Sequence, residues 1–281
     1  MPSAGRTRTA AALPTLVIPD VHMRTAVVDE ILTALAGRYA HVVFLGDYFD
    51  RPPNLRGEAV SADEAKVLVE WLRASLAQPS RTHLVGNHDL SYLSPSRETV
   101  CSGSNAATRD AIVQGLKPAD LSQFKVATQI GPWLVSHAGF QPPYVEDRDA
   151  PTLVCAANEA LSSLFQPGGR FPGLLACGIV RGGDHRHGGV TWCDWDDEFL
   201  PTAGLNQVVG HTCVPGSVRG RHLRRPEQAP LETTIEIPPG GRRRRSLTGF
   251  ASCNYCIDTA LEVVALLEPT GIRFVRWRKQ P

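Results

Sequence analysis

The chain has 281 residues, and 42% of them are hydrophobic, which is enough to build a core and excludes a wholly disordered protein. The formal net charge is only +1, so the composition disfavours nucleic acid as a partner. No apolar run reaches about 18 residues, so we expect no membrane partner.

Residues 1–13 carry two arginines and several small residues but lack the apolar core of a secretory signal, which predicts a disordered tail. A single domain is expected over residues 14–281. The seven cysteines are an odd number scattered along a long chain, which is not a disulfide framework and predicts a reducing, cytoplasmic location.

Five short apolar runs each end in a turn that is followed by a residue able to bind metal. Short apolar runs bounded by Gly or Pro predict buried strands. Asp20 and His22 follow the run at 16–18, and Asp47 follows the run at 42–45. Asn87 follows the run at 84–85, His137 follows the run at 133–135, and His211 follows the run at 208–209.

Two amphipathic segments alternate with the first three strands. Residues 25–36 and 61–76 place apolar residues at helical spacing, and Ser61 followed by Glu64 forms a capping-box pattern. This alternation of strand and helix predicts a largely parallel sheet with helices on its faces. The segments 231–237, 255–258, 261–267 and 272–277 are β-rich and predict a second sheet packed against the first.

The remaining segments are predicted as loops. Residues 168–197 are rich in Gly, charge and Trp, a composition typical of long functional or mobile loops. Two arginine-rich runs, 219–225 and 242–245, lie among turn signals, which favours solvated loops over binding sites. The predicted fold is therefore an α/β domain in which two sheets form a β-sandwich flanked by helices.

The polar residues at the strand ends predict a metal site, because parallel strands place functional residues beyond their carboxyl ends. Gathered at one sheet edge, they would form a mixed nitrogen and oxygen cluster suited to Mn, Fe or Zn. Two such ions would need one carboxylate to bridge them, and they would hold a hydroxide between them. The six candidate ligands are Asp20, His22, Asp47, Asn87, His137 and His211.

These residues occur in five ordered motifs that resemble the calcineurin-like metallophosphoesterase superfamily. The motifs lie at 20–22, 46–51, 86–89, 137–139 and 210–212. The Asp50-Arg51 pair, the Gly-His-Thr at 210–212 and the segment 254–259 are most similar to the branch of Ser/Thr protein phosphatases and bacterial dinucleoside polyphosphate hydrolases.

The resemblance implies a role for each matching ligand. Asp20 and His22 are implied as ligands of the first metal ion, and Asp47 is implied as the bridging carboxylate. The second metal ion would be bound by Asn87, His137 and His211. In many members of the superfamily a further histidine stands where this chain has Cys213, but the branch above does without that ligand, so Cys213 is left out.

The resemblance also implies the residues that handle the substrate. His88 would protonate the leaving oxygen, and Asp50 would orient His88. Arg51 would bind the substrate phosphate, a bidentate task that a guanidinium group suits. A second phosphate-binding arginine is expected in the middle loops, where Arg181 and Arg186 are both candidates. Arg181 is assigned to substrate binding, as is Tyr255 in the Asn-Tyr-Cys motif.

Together these observations predict an enzyme, a metal-dependent phosphoric ester hydrolase of the phosphatase type. We expect two divalent metal ions, with Mn preferred over Fe or Zn, and attack on a phosphate monoester by a hydroxide that bridges the ions. The substrate is a phosphoprotein or a small phosphorylated molecule. The alternatives are a dinucleoside polyphosphate hydrolase and, less favoured, a nuclease or phosphodiesterase, supported only by the arginine runs, or an inactive scaffold.

Overall fold

Two six-stranded sheets packed face to face form the framework of the protein, and helices cover their outer faces. The computed structural model describes residues 12–51, 59–94, 101, 103–166 and 171–278. The predicted tail at 1–13 lies outside the described residues except for Ala12 and Leu13, which form no regular secondary structure.

The strands of both sheets are short and the pairing is mixed. The first sheet has the spatial order β3 (Arg81–His83), β2 (His41–Phe44), β1 (Thr15–Ile18), β11 (Val263–Glu268), β12 (Gly271–Arg276) and β9 (Arg242–Ser246). The second sheet has the order β4 (Ala127–Ile130), β5 (Trp133–Ser136), β6 (Asn206–Val209), β10 (Ser252–Cys256), β7 (Ser217–Leu223) and β8 (Leu231–Glu236). Strands β1, β2 and β3 run parallel, as do β5, β6 and β10.

The helices confirm both helical predictions. They are α1 (Thr25–Ala34), α2 (Ala62–Leu76), α3 (Asn87–Leu93), α4 (Ala106–Gly115), α5 (Pro118–Leu121), α6 (Pro142–Val145) and α7 (Ala150–Leu164). At the start of α2, the Ser61 hydroxyl accepts the Glu64 N–H at 3.2 Å and the Glu64 carboxylate accepts the Ser61 N–H at 2.9 Å. Among the described residues, no helix combines the length and the apolar character needed to cross a bilayer.

The apolar runs at 16–18, 42–45, 133–135 and 208–209 coincide with strands that are buried on both faces, whereas β3 ends at His83, just before the run at 84–85. Side chains alternate along a strand, so Leu16 and Ile18 pack under the helices while Val17 packs between the sheets. Val43 and Phe274 belong to the same layer between the sheets as Val17. Burial on both faces explains why these strands are continuous apolar runs rather than alternating ones.

The predicted second sheet is present, which confirms the two-sheet sandwich, but the C-terminal strands do not all belong to it. Strands β9, β11 and β12 complete the first sheet, and β7, β8 and β10 complete the second. The N-terminal and C-terminal strands join into one sheet because β1 pairs antiparallel with β11, with Thr15 opposite Leu267. A pairing across so much of the chain leaves no trace in local periodicity, so sequence patterns did not show it.

The two arginine-rich runs also differ from their prediction as loops, because they form strands. Residues 219–223 lie in β7, and residues 242–245 form most of β9. β9 is the edge strand of its sheet, and all five of its residues are exposed. A strand with both faces in solvent needs no apolar alternation, and charged side chains on an edge discourage pairing with other chains.

His83 at the end of β3 predicts a pH dependence of stability. Its side chain is buried, its ring stacks on Phe44 at 4.5 Å, and its nitrogens lie 2.9 Å from the Tyr48 hydroxyl and 2.9 Å from the Ser75 hydroxyl. Burial, aided by the nearby charge of Arg81, lowers the pKa of His83 to about 3. The imidazole therefore stays neutral in the folded protein where the unfolded chain binds a proton.

We expect this difference to destabilise the protein as the pH falls below the ordinary histidine pKa of about 6.5. Between pH 7 and pH 5, His83 should account for a loss of about 2 kcal/mol in the free energy of unfolding. Urea unfolding of the wild type and of His83→Gln at both pH values tests this. The wild type should lose about 2 kcal/mol more than the variant, and an equal loss in both would show that His83 is not the group responsible.

Candidate metal centre

The six predicted ligands meet at one end of the sandwich, where strands of both sheets end. The first sheet contributes four of them and the second sheet contributes two. They are Asp20 and His22 after β1, Asp47 after β2, Asn87 after β3, His137 after β5 and His211 after β6. The site therefore lies between the two sheets, whereas the sequence had predicted the edge of one.

Asp47 belongs to two groups of converging ligand atoms. Within the described residues, Asp20, His22 and Asp47 place ligand atoms within 4.8 Å of one another, and so do Asp47, His137 and His211. Asp47 Oδ2 lies 3.8 Å from His22 Nε2 and 3.5 Å from His137 Nε2. Two atoms that bind one ion at about 2.1 Å each are typically about 3 to 4 Å apart. The distances therefore fit a carboxylate shared by two ions.

His137 shows most directly that a cation fits here. Its Nδ1–H donates to the Leu45 carbonyl at 2.8 Å, so Nε2 carries a lone pair. That nitrogen lies 3.0 Å from Asn87 Oδ1 and 3.2 Å from His211 Nδ1. The Asn87 amide nitrogen donates to the Cys101 sulfur at 3.2 Å, which fixes the direction of Oδ1. Electron-pair donors that face one another in a buried site are stabilised by a cation between them.

The protonation states agree with metal binding. Burial lowers the pKa of His22 to about 4, and burial also lowers the pKa values of His137 and His211, so that all three are neutral at pH 7. Only a neutral imidazole binds a metal ion. Burial, with the charges of Asp258 and Asp47, raises the pKa of Asp20, because buried carboxylates repel each other. A divalent ion relieves that repulsion, and the nitrogen and oxygen donors suit Mn, Fe or Zn.

The backbone at the centre is held in a costly conformation. His22, Asp47, Asp50 and His211 have φ angles of 44°, 50°, 66° and 69°. The left-handed region costs a residue other than glycine about 1–2 kcal/mol. The surrounding contacts must compensate for this strain at four positions of one site, as is typical of functional sites.

Two glycines in the motifs lie so close to carboxylate oxygens that no larger residue would fit. A Cβ on Gly86 would lie 2.1 Å from Asp47 Oδ1, and a Cβ on Gly210 would lie 2.1 Å from Asp20 Oδ1. Only a hydrogen atom fits in either place. The glycines before Asn87 and His211 therefore let the backbone approach the two carboxylate ligands.

Asp89 holds the loop that carries Asp47, a role that the sequence prediction missed. Its buried carboxylate accepts the backbone N–H groups of Asp47, Tyr48 and Gly86, each at 2.8 Å. Asp89 is the third residue of α3, a position from which a carboxylate accepts backbone N–H groups at the start of a helix, and this position is the local signal that identifies Asp89.

The predicted pair of His88 and Asp50 is present. His88 Nδ1–H donates to Asp50 Oδ2 at 2.7 Å, and the Tyr92 hydroxyl donates to the other Asp50 oxygen. The ring of His88 lies 5.3 Å from the ring of His22, so the pair adjoins the first ligand group. Burial by itself lowers the pKa of His88, but the charges of Asp47 and Asp50 outweigh it and leave the pKa raised. His88 is thus able to hold a proton near neutral pH.

The two arginines that were predicted to bind phosphate have different surroundings in the structure. Arg181 Nη2 donates to the Thr212 hydroxyl at 3.2 Å, next to His211, and its guanidinium pairs with Asp194 at 2.5 Å. Arg51 follows Asp50 directly, and it donates to Glu64 at 2.6 Å at the start of α2. Arg181 is therefore held beside the second ligand group, while the described contact of Arg51 is with the helix cap.

Tyr255 does not belong to the site, which corrects its assignment to substrate binding. Its side chain is buried between the sheets, 5.1 Å from the ring of Phe274 and 6.1 Å from that of Trp133. Alternation along β10 turns Tyr255 toward the core. Cys213 is in neither group of converging ligand atoms, and burial, with the nearby charge of Asp258, raises the pKa of its thiol.

The fold is that of a metallophosphoesterase, with two stacked sheets. Asp47 is shared between two groups of candidate ligands, each of which contains at least one histidine. The model of the calcineurin-like phosphoesterase family matches residues 13–215, and the chain belongs to this family. Members of the family typically use a dinuclear metal site, and the clustered Asp and His residues accord with one.

Several solved structures resemble the chain at low sequence identity. A metallophosphoesterase from Sphaerobacter thermophilus is 15% identical over 96% of this chain and 89% of that chain, with a TM-score of 0.49. A protein serine/threonine phosphatase from Saccharomyces cerevisiae, with similarity to human phosphatase PP5, is 12% identical over 98% of this chain and 83% of that chain, with a TM-score of 0.42. No curated protein sequence matches the chain significantly.

Proposed function

We propose that this protein hydrolyses phosphate monoesters, in a phosphoprotein or a small phosphorylated molecule, with two divalent metal ions held by the six ligands. The observation that carries the proposal is the position of Asp47, which is shared by both ligand groups beside the paired His88 and Asp50. A phosphate group at such a centre would meet both metal positions and a proton donor at once.

Different residues of the chain have different roles in the proposed reaction. When bound, the two ions supply a hydroxide nucleophile at neutral pH and neutralise charge on the phosphoryl oxygens. Asp47 Oδ1 accepts the backbone N–H of His88 at 3.0 Å, which orients the carboxylate so that Oδ2 faces both metal positions. Asp50 holds His88 by Nδ1, so the acidic proton is on Nε2 and is transferred to the leaving oxygen. Arg181 would bind the phosphoryl oxygens beside the second ion.

The positions of the arginine runs weaken the nuclease alternative. β9 borders a cavity that includes Pro14, before the start of β1, whereas Asp20 lies beyond the other end of that strand. In β7, Arg219 donates to Asp196 and Arg221 donates to the Phe199 carbonyl at 2.7 Å. These arginines hold the loop at 194–199 in place, which argues against a role in binding a phosphodiester backbone.

A substrate panel tests the proposal. The protein is stripped of metal, Mn²⁺ is added back, and release of product is measured from para-nitrophenyl phosphate, bis(para-nitrophenyl) phosphate, a phosphoserine peptide and diadenosine tetraphosphate. We expect metal-dependent hydrolysis that is fastest on a monoester. Preference for diadenosine tetraphosphate would favour a dinucleoside polyphosphate hydrolase instead, and inactivity with two bound metal ions would favour a scaffold.

Arg181→Ala should raise KM for para-nitrophenyl phosphate by about tenfold or more, because a charge-assisted contact to the phosphoryl group is lost. Arg186→Ala is the matched control, since Arg186 is exposed in the same loop and was the other candidate. Steady-state kinetics on both variants separates them. A KM raised equally in both variants, or in neither, would contradict the role of Arg181.

A further inference from the structure

A basic cavity lies at the opposite end of β1 from the metal centre. It has a volume of about 670 Å³ and includes residues just before β1 and in the turn between β11 and β12. Pockets for small ligands typically measure about 300–1,000 Å³. The cavity is lined by four arginines and one acidic residue, namely Arg38, Arg242, Arg244, Arg273 and Glu268.

The lining carries an excess of positive charge that the described residues do not neutralise. Glu268 pairs with two of the arginines, at 2.9 Å with Arg244 Nε and also with Arg273. Arg38 and Arg242 form no ion pair with any residue that the structure describes. Four guanidinium groups and one carboxylate leave a net charge of +3 around one cavity.

Glu268 also organises the cavity. Its side chain is only 12% exposed and holds the Arg244 and Arg273 guanidinium groups on the same side of the sheet. Arg244 donates in addition to the Thr270 hydroxyl at 3.3 Å. Guanidinium groups held in place lose less conformational entropy when an anion binds, so the site is partly prepared for a ligand.

We propose that this cavity binds a small oligophosphate, an anion with two or more linked phosphoryl groups. Guanidinium groups bind phosphoryl oxygens in bidentate pairs, which favours phosphate over a diffuse anion. One phosphoryl group carries a charge of about −1.5 to −2 and leaves the cavity positive, whereas two linked groups match its charge. The N-terminal residues 1–11 contain two arginines and no acidic residue, so they do not complement the cavity.

The alternation of β9 offers a matched pair of variants. Arg242 and Arg244 line the cavity. Arg243 is paired with Phe274, whose side chain packs between the sheets, so Arg243 and Arg245 lie on the other face of the strand. Each double variant removes two positive charges from the same exposed strand, but only one of them removes charge from the cavity.

The experiment is calorimetric titration of the metal-stripped full-length chain with inorganic tripolyphosphate. We expect one site per chain in the wild type and at least about tenfold weaker binding by Arg242→Ala/Arg244→Ala. Arg243→Ala/Arg245→Ala should bind within about twofold of the wild type, because its cavity is intact. Arg181→Ala should also bind like the wild type, since Arg181 lies beside His211 at the other end of the molecule.

Three outcomes would overturn the proposal. An equal loss in both double variants would mean that the probe responds only to overall charge. A loss in Arg181→Ala would place the probe at the metal centre. Absence of binding by the wild type would mean that the arginines of β9 serve only to prevent pairing of this edge strand with other chains. Both double variants should then aggregate more readily than the wild type.

Discussion

Asp47→Asn should abolish hydrolysis, with kcat lower by at least about a thousandfold. Asp47 is the only residue shared by the two ligand groups of the described site, so its loss weakens both metal positions at once. An amide oxygen carries no charge and does not bridge two cations as a carboxylate does. Metal content after dialysis should fall from two ions per chain, and activity on para-nitrophenyl phosphate should fall with it.

Asp258→Asn is the informative control for this prediction. Asp258 is also buried, and its charge contributes to the raised pKa of Asp20, but it lies in neither ligand group. Residues that only surround a metal site typically affect affinity or activity by about 10- to 100-fold. If Asp258→Asn lost as much metal as Asp47→Asn, the assignment of Asp47 as the shared ligand would be wrong.

His88→Asn should slow turnover by about 10²–10⁴-fold while both metal ions stay bound. His88 belongs to neither ligand group, and its ring is held by Asp50 beside the first of them. The variant removes the proton donor and leaves the metal ligands in place. Metal content and kcat measured on the same preparation separate this result from that of Asp47→Asn.

The leaving group provides the sharper test of His88. An alkoxide needs a proton as it departs, whereas para-nitrophenolate is stable without one, so His88→Asn should slow alkyl phosphates much more than para-nitrophenyl phosphate. His185→Asn, an equivalent change at an exposed loop position, should leave both rates unchanged. An equal loss on both substrates would show that His88 acts on something other than the leaving group.

The sequence predicted most of the site because its ligands sit in local motifs. Asp20 and Asp47 each lie in the turn that follows a strand, so locating the strand also locates the residue. The structure has these strands, β1 and β2, where the apolar runs predicted them. The contact of His88 with Asp50 was likewise predicted and is present at 2.7 Å. Tyr255 was misassigned because its motif resembled that of a related family, whereas its burial depends on which face of β10 meets the other sheet.

Local chemistry in the sequence determined the kinds of ligand, their order along the chain and the helices and strands that carry them. Only the tertiary structure decided that both sheets supply candidate ligands, that Asp89 holds the Asp47 loop and that Arg242 and Arg244 face a cavity at the opposite end of β1 from the metal centre. The reason is that these features depend on pairings between distant segments, such as β1 with β11. Periodicity and motif spacing record the conformation of neighbouring residues, while the register between remote strands is set by how the whole core packs.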